Sequence, residues 1–140
     1  MRKELTEKLY NDFPDLYEQR SWSIQESCMP WGFECGDGWF DLIYKLSKDL
    51  MAVSKKVRAV QVKEKFGGLR FYFSYSGNVT KATDDKVWKL IGTAEDESYK
   101  TCEYCGSREN VNQTEGWVVT LCNTCMTKRK EERGRYERGL

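Results

Sequence analysis

Two runs of alternating apolar and polar residues, Val60-Gln61-Val62-Lys63-Glu64-Lys65-Phe66 and Leu69-Arg70-Phe71-Tyr72-Phe73-Ser74-Tyr75, flank the pair Gly67-Gly68. A period of two in β-branched and aromatic residues predicts antiparallel strands, and the glycines predict a two-residue primed turn, because glycine reaches positive φ without steric cost. With Gly67 and Gly68 as the loop, Phe66 faces Leu69 and the register follows outward. One face then carries Val60, Val62, Glu64, Phe66, Leu69, Phe71, Phe73 and Tyr75, and the other Gln61, Lys63, Lys65, Arg70, Tyr72 and Ser74. The period changes to that of a helix elsewhere. Leu5, Leu9, Phe13 and Leu16 mark a first helix that Pro14 ends or kinks. Trp39, Leu42, Ile43, Leu46, Leu50 and Val53 form the best helical stripe, with Asp37 as its expected N-cap. Val87, Leu90, Ile91, Ala94 and Ser98 mark a third helix over 82–99. Residues 21–38 follow neither period; their mix of aromatics with Gly and Pro predicts an ordered loop.

These elements predict an α+β fold, with helices packed on one face of a small antiparallel sheet. At 140 residues the chain is long enough for one domain and a small appendage. The expected division is 1–100, with the hairpin over 57–75, and 101–140. No apolar run approaches the roughly 20 residues a membrane span needs, and the start of the chain does not read as a signal peptide. A cytoplasmic protein without membrane contact is the expectation. The chain has no histidine, which removes the commonest general base and the commonest neutral metal ligand.

Net charge is +1, yet residues 56–81 hold six Lys/Arg against one Asp/Glu. The positive charge is concentrated on the hairpin, between acidic flanks that argue against a broad duplex-coating surface. Glu95-Asp96-Glu97 sits near a helix C-terminus, against the dipole, and reads as solvated or facing a basic neighbour.

Cys102 and Cys105, then Cys122 and Cys125, give two C-x2-C pairs sixteen residues apart. That spacing predicts a tetrahedral Zn²⁺ site, with Gly106 allowing the turn past the second thiolate. Four thiolates close the coordination shell, so the ion is expected to be structural. Short strands between the pairs predict a zinc-ribbon or treble-clef-like module. Lys100, Arg108, Lys128 and Arg129 lie close enough in sequence to offset the formal −2 charge of the site. Met126 to Leu140 reads as a charged helix interrupted by Gly134, with 134–140 fraying. Cys28 and Cys35 read as small buried hydrophobes rather than a bonded pair.

The blocks Gly36-Asp37-Gly38-Trp39, Val62-Lys63-Glu64-Lys65-Phe66-Gly67-Gly68-Leu69-Arg70-Phe71-Tyr72, Cys102-x2-Cys105-Gly106 and Gly116-Trp117-x3-Leu121-Cys122 resemble a family of small, uncharacterised proteins of bacteria and tailed phages. The resemblance covers roughly residues 30–126 and implies a common fold. From where such genes occur, it also implies a phage accessory role in the host cytoplasm, including countering a host defence.

From the residues themselves, the hairpin is the candidate site. Lys65 is expected opposite Arg70, with Lys63 on the same face. Like charges directly opposed are destabilising unless an anion bridges them. Arg70 could fork onto a phosphate, Lys63 and Lys65 act as point charges, Tyr72 stack or donate, and Gly67-Gly68 admit a ligand close to the backbone. The expected partner is an anionic, phosphate-bearing ligand, nucleotide or nucleic acid. The plain alternative is a solvated face that deters edge pairing. Glu64, expected opposite Phe71 on the apolar face, reads as paired with the 21–39 loop ahead of a general base. Two further functions remain: inhibition of a host protein through an aromatic surface of Trp22, Trp31, Phe33 and Trp88, and carboxylate catalysis by Glu64.

Overall fold

A computed structural model describes the backbone of residues 1–137. The first helix, α1 (Lys3–Asp12), stops two residues ahead of Pro14, as expected of a ring that lacks an N–H. The chain then runs through short 3-10 turns to β1 (Phe33–Glu34), α2 (Phe40–Val53), β2 (Val57–Lys65), β3 (Gly68–Tyr75) and α3 (Lys81–Ser98). The cysteine-bearing part adds β4 (Val111–Gln113), β5 (Thr120–Cys122) and α4 (Asn123–Glu137). The fold is α+β. Its main sheet is mixed rather than purely antiparallel, in the order β1-β2-β3, with β1 parallel to β2. That strand lies in the stretch expected to be loop; two residues are too few to show a period.

The best helical stripe is the core of α2: Trp39, Ile43 and Leu50 are fully buried and Leu46 nearly so. They join Leu9, Leu16, Tyr17, Val62, Leu69 and Phe71 in one cluster. Buried polar groups here find side-chain partners: the Tyr17 hydroxyl lies 2.6 Å from Ser47 Oγ, which itself donates to the Ile43 carbonyl. Asp37 is not an N-cap. Its Oδ1 accepts from the Arg2 amide at 2.8 Å, and α2 is entered through a 3-10 turn over Asp37–Trp39 instead. At α3 the cap is Thr80, whose Oγ1 accepts from the Thr83 amide.

The hairpin turn is displaced by one residue from its expected place. Lys65 pairs with Gly68, Glu64 with Leu69, Lys63 with Arg70 and Val62 with Phe71. The loop is therefore Phe66-Gly67, both at positive φ (53° and 83°), as a type I′ turn demands. The shift moves each cross-strand partner by two, so the paired residues near the tip keep their faces while the pairs change; Phe66, expected on the apolar face opposite Leu69, lies in the turn instead and is exposed. Farther out, a bulge between Ala59 and Gln61 flips the root of β2. Val57 and Ala59 are fully buried there, and Val60, expected inside, is not. The Val60 carbonyl accepts from Ser27 Oγ at 3.2 Å.

The helix of the expected charged tail is not interrupted: α4 runs through Gly134. Of the fraying expected for 134–140, residues 138–140 lie outside the described residues.

Candidate metal centre and binding face

The sulfurs of Cys102, Cys105, Cys122 and Cys125 lie within 4.8 Å of one another, a cluster that could hold a metal ion. The separation from Cys105 to Cys122 is 3.6 Å, far beyond the ~2.05 Å of a disulfide. A tetrahedral ion with metal–sulfur bonds of ~2.3 Å sets neighbouring sulfurs about 3.8 Å apart, so the donor set fits. The Cys125 amide points at Cys122 Sγ, and that hydrogen bond pulls the Cys122 thiol down to about 7. Cys28 and Cys35 are free thiols; burial pushes the Cys35 thiol up to about 12, the behaviour of a small core residue. Two of the expected charge-compensating cations are engaged elsewhere. Arg108 and Lys100 both pair with Glu97.

The cysteine module is seated on the rest of the chain at Gly36, Gly38 and Gly67. A Cβ at Gly38 would stand 2.2 Å from the Cys102 carbonyl oxygen, and one at Gly36 2.4 Å from that of Glu103. The Gly38 amide donates to the Glu103 carbonyl at 2.8 Å, the Gly36 amide to the Glu103 carboxylate at 2.9 Å, and Trp39 Nε1 to the Thr101 carbonyl at 2.9 Å. Burial raises the Glu103 carboxyl above its ordinary value. At the hairpin tip the Gly67 carbonyl accepts from Thr120 Oγ1, which is buried and also accepts from Gln113 Nε2. A Cβ at Gly68 would fall 2.3 Å from the Tyr99 ring. The group that approaches the Gly67-Gly68 backbone closely is thus the protein itself, not a ligand.

Glu64 is also structural. Its carboxylate accepts from the Gly67 amide at 2.8 Å, closing the turn from within the hairpin rather than holding the 21–39 loop. Lys63 stands opposite Arg70, which the displaced register puts where Lys65 was expected. The Arg70 guanidinium donates to the Leu69 carbonyl (2.9 Å) and to the Tyr99 hydroxyl (3.1 Å). The Tyr99 bond raises Arg70 above its ordinary value. Both hydrogen-bond acceptors are neutral; the nearby carboxylate is Glu95, on α3, which faces the guanidinium without bonding to it and raises it further. Lys65 lies over the Phe66 ring at 5.7 Å, and Tyr72 is exposed on the same face. The acid beside Lys63 is Glu34, on β1, which accepts from Gln61 at 3.2 Å.

Of the aromatic surface expected from Trp22, Trp31, Phe33 and Trp88, the four residues do not form one patch. Phe33 is a core residue, 4% exposed. Trp88 packs edge-on against Phe73 of β3, two strands away from β1. Glu95 is not merely solvated either: it accepts from the Phe71 amide at 3.1 Å, and its partial burial raises its carboxyl.

Two residues that the sequence did not mark stand out at the tip. Phe66 holds φ 53° while 71% exposed. A bulky side chain in the left-handed region costs about 1–2 kcal/mol. Trp117 is 80% exposed in the loop before β5. The signal for Phe66 was the F-G-G order itself, since a type I′ turn can start one residue ahead of a Gly pair. The isolated Trp117 offered no periodic signal. A cavity of about 480 Å³ lies between α2 and α3 over Leu42, Leu46, Val53, Leu90 and Ala94, and holds none of the expected site residues. No described helix is long and apolar enough to cross a membrane. Comparison with protein-family models, curated proteins and solved structures finds no match for this chain.

Proposed function

We propose that the chain is a non-enzymatic, zinc-containing binding protein that takes an anionic, phosphate-bearing ligand, a nucleotide or nucleic acid, on the outer face of the β2–β3 hairpin. The observation that carries this reading is the pairing of Lys63 with Arg70 across the ladder. Like charges directly opposed cost stability, and Arg70 is held in that position by neutral acceptors. An anion between them would turn the cost into a gain, because Arg offers a planar fork and Lys a mobile point charge. Zinc, chosen by the all-sulfur donor set, would close its shell with Cys102, Cys105, Cys122 and Cys125 and serve as scaffold. By holding Thr120 and Gln113 against the tip it fixes the end of the binding face.

The test is titration of the zinc-loaded protein with a labelled oligonucleotide and with a mononucleotide over a salt series. Lys63→Ala with Lys65→Ala removes two side chains that make no ion pair or hydrogen bond among the described residues. The double variant is expected to bind at least tenfold more weakly and to show a shallower salt slope, since each phosphate contact contributes to that slope. Unchanged affinity for both ligands overturns the reading.

A further inference from the structure

A groove of about 270 Å³ separates the hairpin tip from the loop before β5, with Lys63, Glu64, Lys65 and Phe66 on one side and Gly116, Trp117 and Val118 on the other; the Glu64 carboxylate is already bonded to the Gly67 amide. The groove's volume falls just under the roughly 300–1,000 Å³ of clefts that take drug-sized ligands, so it suits one small planar group. Phe66 at its margin is costly to folding, and neither Phe66 nor Trp117 is buried. Phe66 occupies a backbone conformation in which Asn or Gly is at ease, and its ring gains little from burial because it is 71% exposed. Trp117 is more exposed still, yet its loop is clamped. Thr114 Oγ1 donates to the Trp117 carbonyl at 2.7 Å and accepts from the Val119 amide at 2.8 Å. The Thr114 amide donates to the Val119 carbonyl at 2.9 Å. Strain at one ring and a fixed frame behind the other are the marks of groups positioned in advance for a ligand.

We infer that this groove receives one unpaired base of a single-stranded nucleic acid, stacked on Phe66 and Trp117, while the strand's phosphates follow Lys65 and Lys63 toward Arg70 and Tyr72. The inference rests on the reading of the hairpin's outer face as phosphate-binding and adds the class of nucleic acid. A base within a duplex has both π-faces covered, whereas an unpaired one offers them to aromatic side chains. The cations continue past the groove. Lys65 and Lys63 are two residues apart on one strand, about 7 Å, and the track to the Gln61–Tyr72 pair spans about 13 Å. A lone mononucleotide would leave most of that track unused.

The experiment uses labelled oligo-dT and oligo-U of about 12 nucleotides, a duplex of equal length and free dTMP, followed by anisotropy. The zinc-loaded protein is expected to bind the single strands at least tenfold more tightly than the duplex or dTMP. Phe66→Asn and Trp117→Ala are each expected to weaken single-strand binding about tenfold without changing the salt slope. Phe66→Asn should keep or raise Tm, because Asn tolerates positive φ, so its loss of affinity cannot be read as loss of fold. Equal binding of duplex and single strand, or of dTMP and single strand, overturns the inference. So do aromatic variants that bind like the parent; if the Lys63/Lys65 variant is weakened at the same time, the phosphate-binding face stands alone. Failure of the unaltered protein to bind any probe overturns both.

Discussion

Between residues 1 and 100 the interior is filled by large side chains, Leu9, Tyr17, Trp39 and Ile43 among them, each fully buried. Among the described residues the cysteine module buries Val119 and Leu121 beside Cys102 and Cys122, with Val111 and Met126 partly buried against them. A segment of that size cannot exclude enough apolar surface to fold by itself; chains below ~40 residues usually need a metal, disulfides or a partner. The helical part can tolerate a lost contact because its neighbours remain. The module depends on a few points: the sulfur cluster, close backbone approach at Gly36 and Gly38, and the Thr120 hydroxyl on the Gly67 carbonyl at the hairpin tip. Burial and close approach are different ways of joining two parts of a chain, and they should fail differently.

The largest test of that contrast is removal of the metal. Structural zinc is worth on the order of 10 kcal/mol to small metal domains. Chelation is therefore expected to abolish amide-exchange protection across 101–125 while the amides of α2 keep theirs. A single transition in which both regions lose protection together would break the contrast. Next is Gly38→Ala. Its Cβ would meet the Cys102 carbonyl oxygen at 2.2 Å and the Gly106 amide nitrogen at 2.5 Å, both backbone atoms with no rotamer to escape into. A loss of about 1–3 kcal/mol in urea unfolding, together with weaker metal retention, is expected. Gly92 of α3 is the control in the helical region. Nothing lies within 4 Å of its Cβ position, so Gly92→Ala should stabilise by about 0.5–1 kcal/mol through helix propensity.

The smallest effect concerns Glu95. Burial raises its carboxyl in the folded state, so the stability it contributes is complete below its ordinary value and declines as pH rises through the raised one. Glu95→Gln keeps an oxygen for the Phe71 amide and removes that decline. The variant should gain slightly on the parent as pH rises from about 4.5 to neutrality, read from urea midpoints. A parent profile that is flat over this range would remove the argument for a strained carboxylate at the edge of the core.

How far the sequence reveals this arrangement depends on how many jobs a residue type can do. The period of two identifies the hairpin and its inner and outer faces, because burial on one side enforces alternation. The turn is less legible. Gly67 is needed for positive φ, whereas Gly68 is needed because the Tyr99 ring lies against it, and a glycine does not declare which demand it meets. The bulge at Val60 is hidden for a related reason: Ala59 and Val60 are both apolar, so either fits the inside. The cysteine spacing carries the metal site on its own, since few other uses require two C-x2-C pairs. Trp117 is placed by the Thr114 bonds that clamp its loop and Glu64 by one bond to the Gly67 amide, and neither leaves a pattern.

One consequence follows from the partners of Phe71 and Leu69. The outward-facing amides of Phe71 and Leu69, in the tip half of β3, are taken by Glu95 at 3.1 Å and by Ser98 Oγ at 2.9 Å, both on α3. Leu69-Arg70-Phe71-Tyr72-Phe73 is rich in the residues that zip into fibrils when left as a free edge. The opposite margin is β1, only two residues long. A sheet sealed in this way cannot easily be extended by a borrowed strand, from a foreign peptide or from a second copy of itself. The hairpin can keep a long, aromatic, solvent-facing surface without inviting cross-β growth.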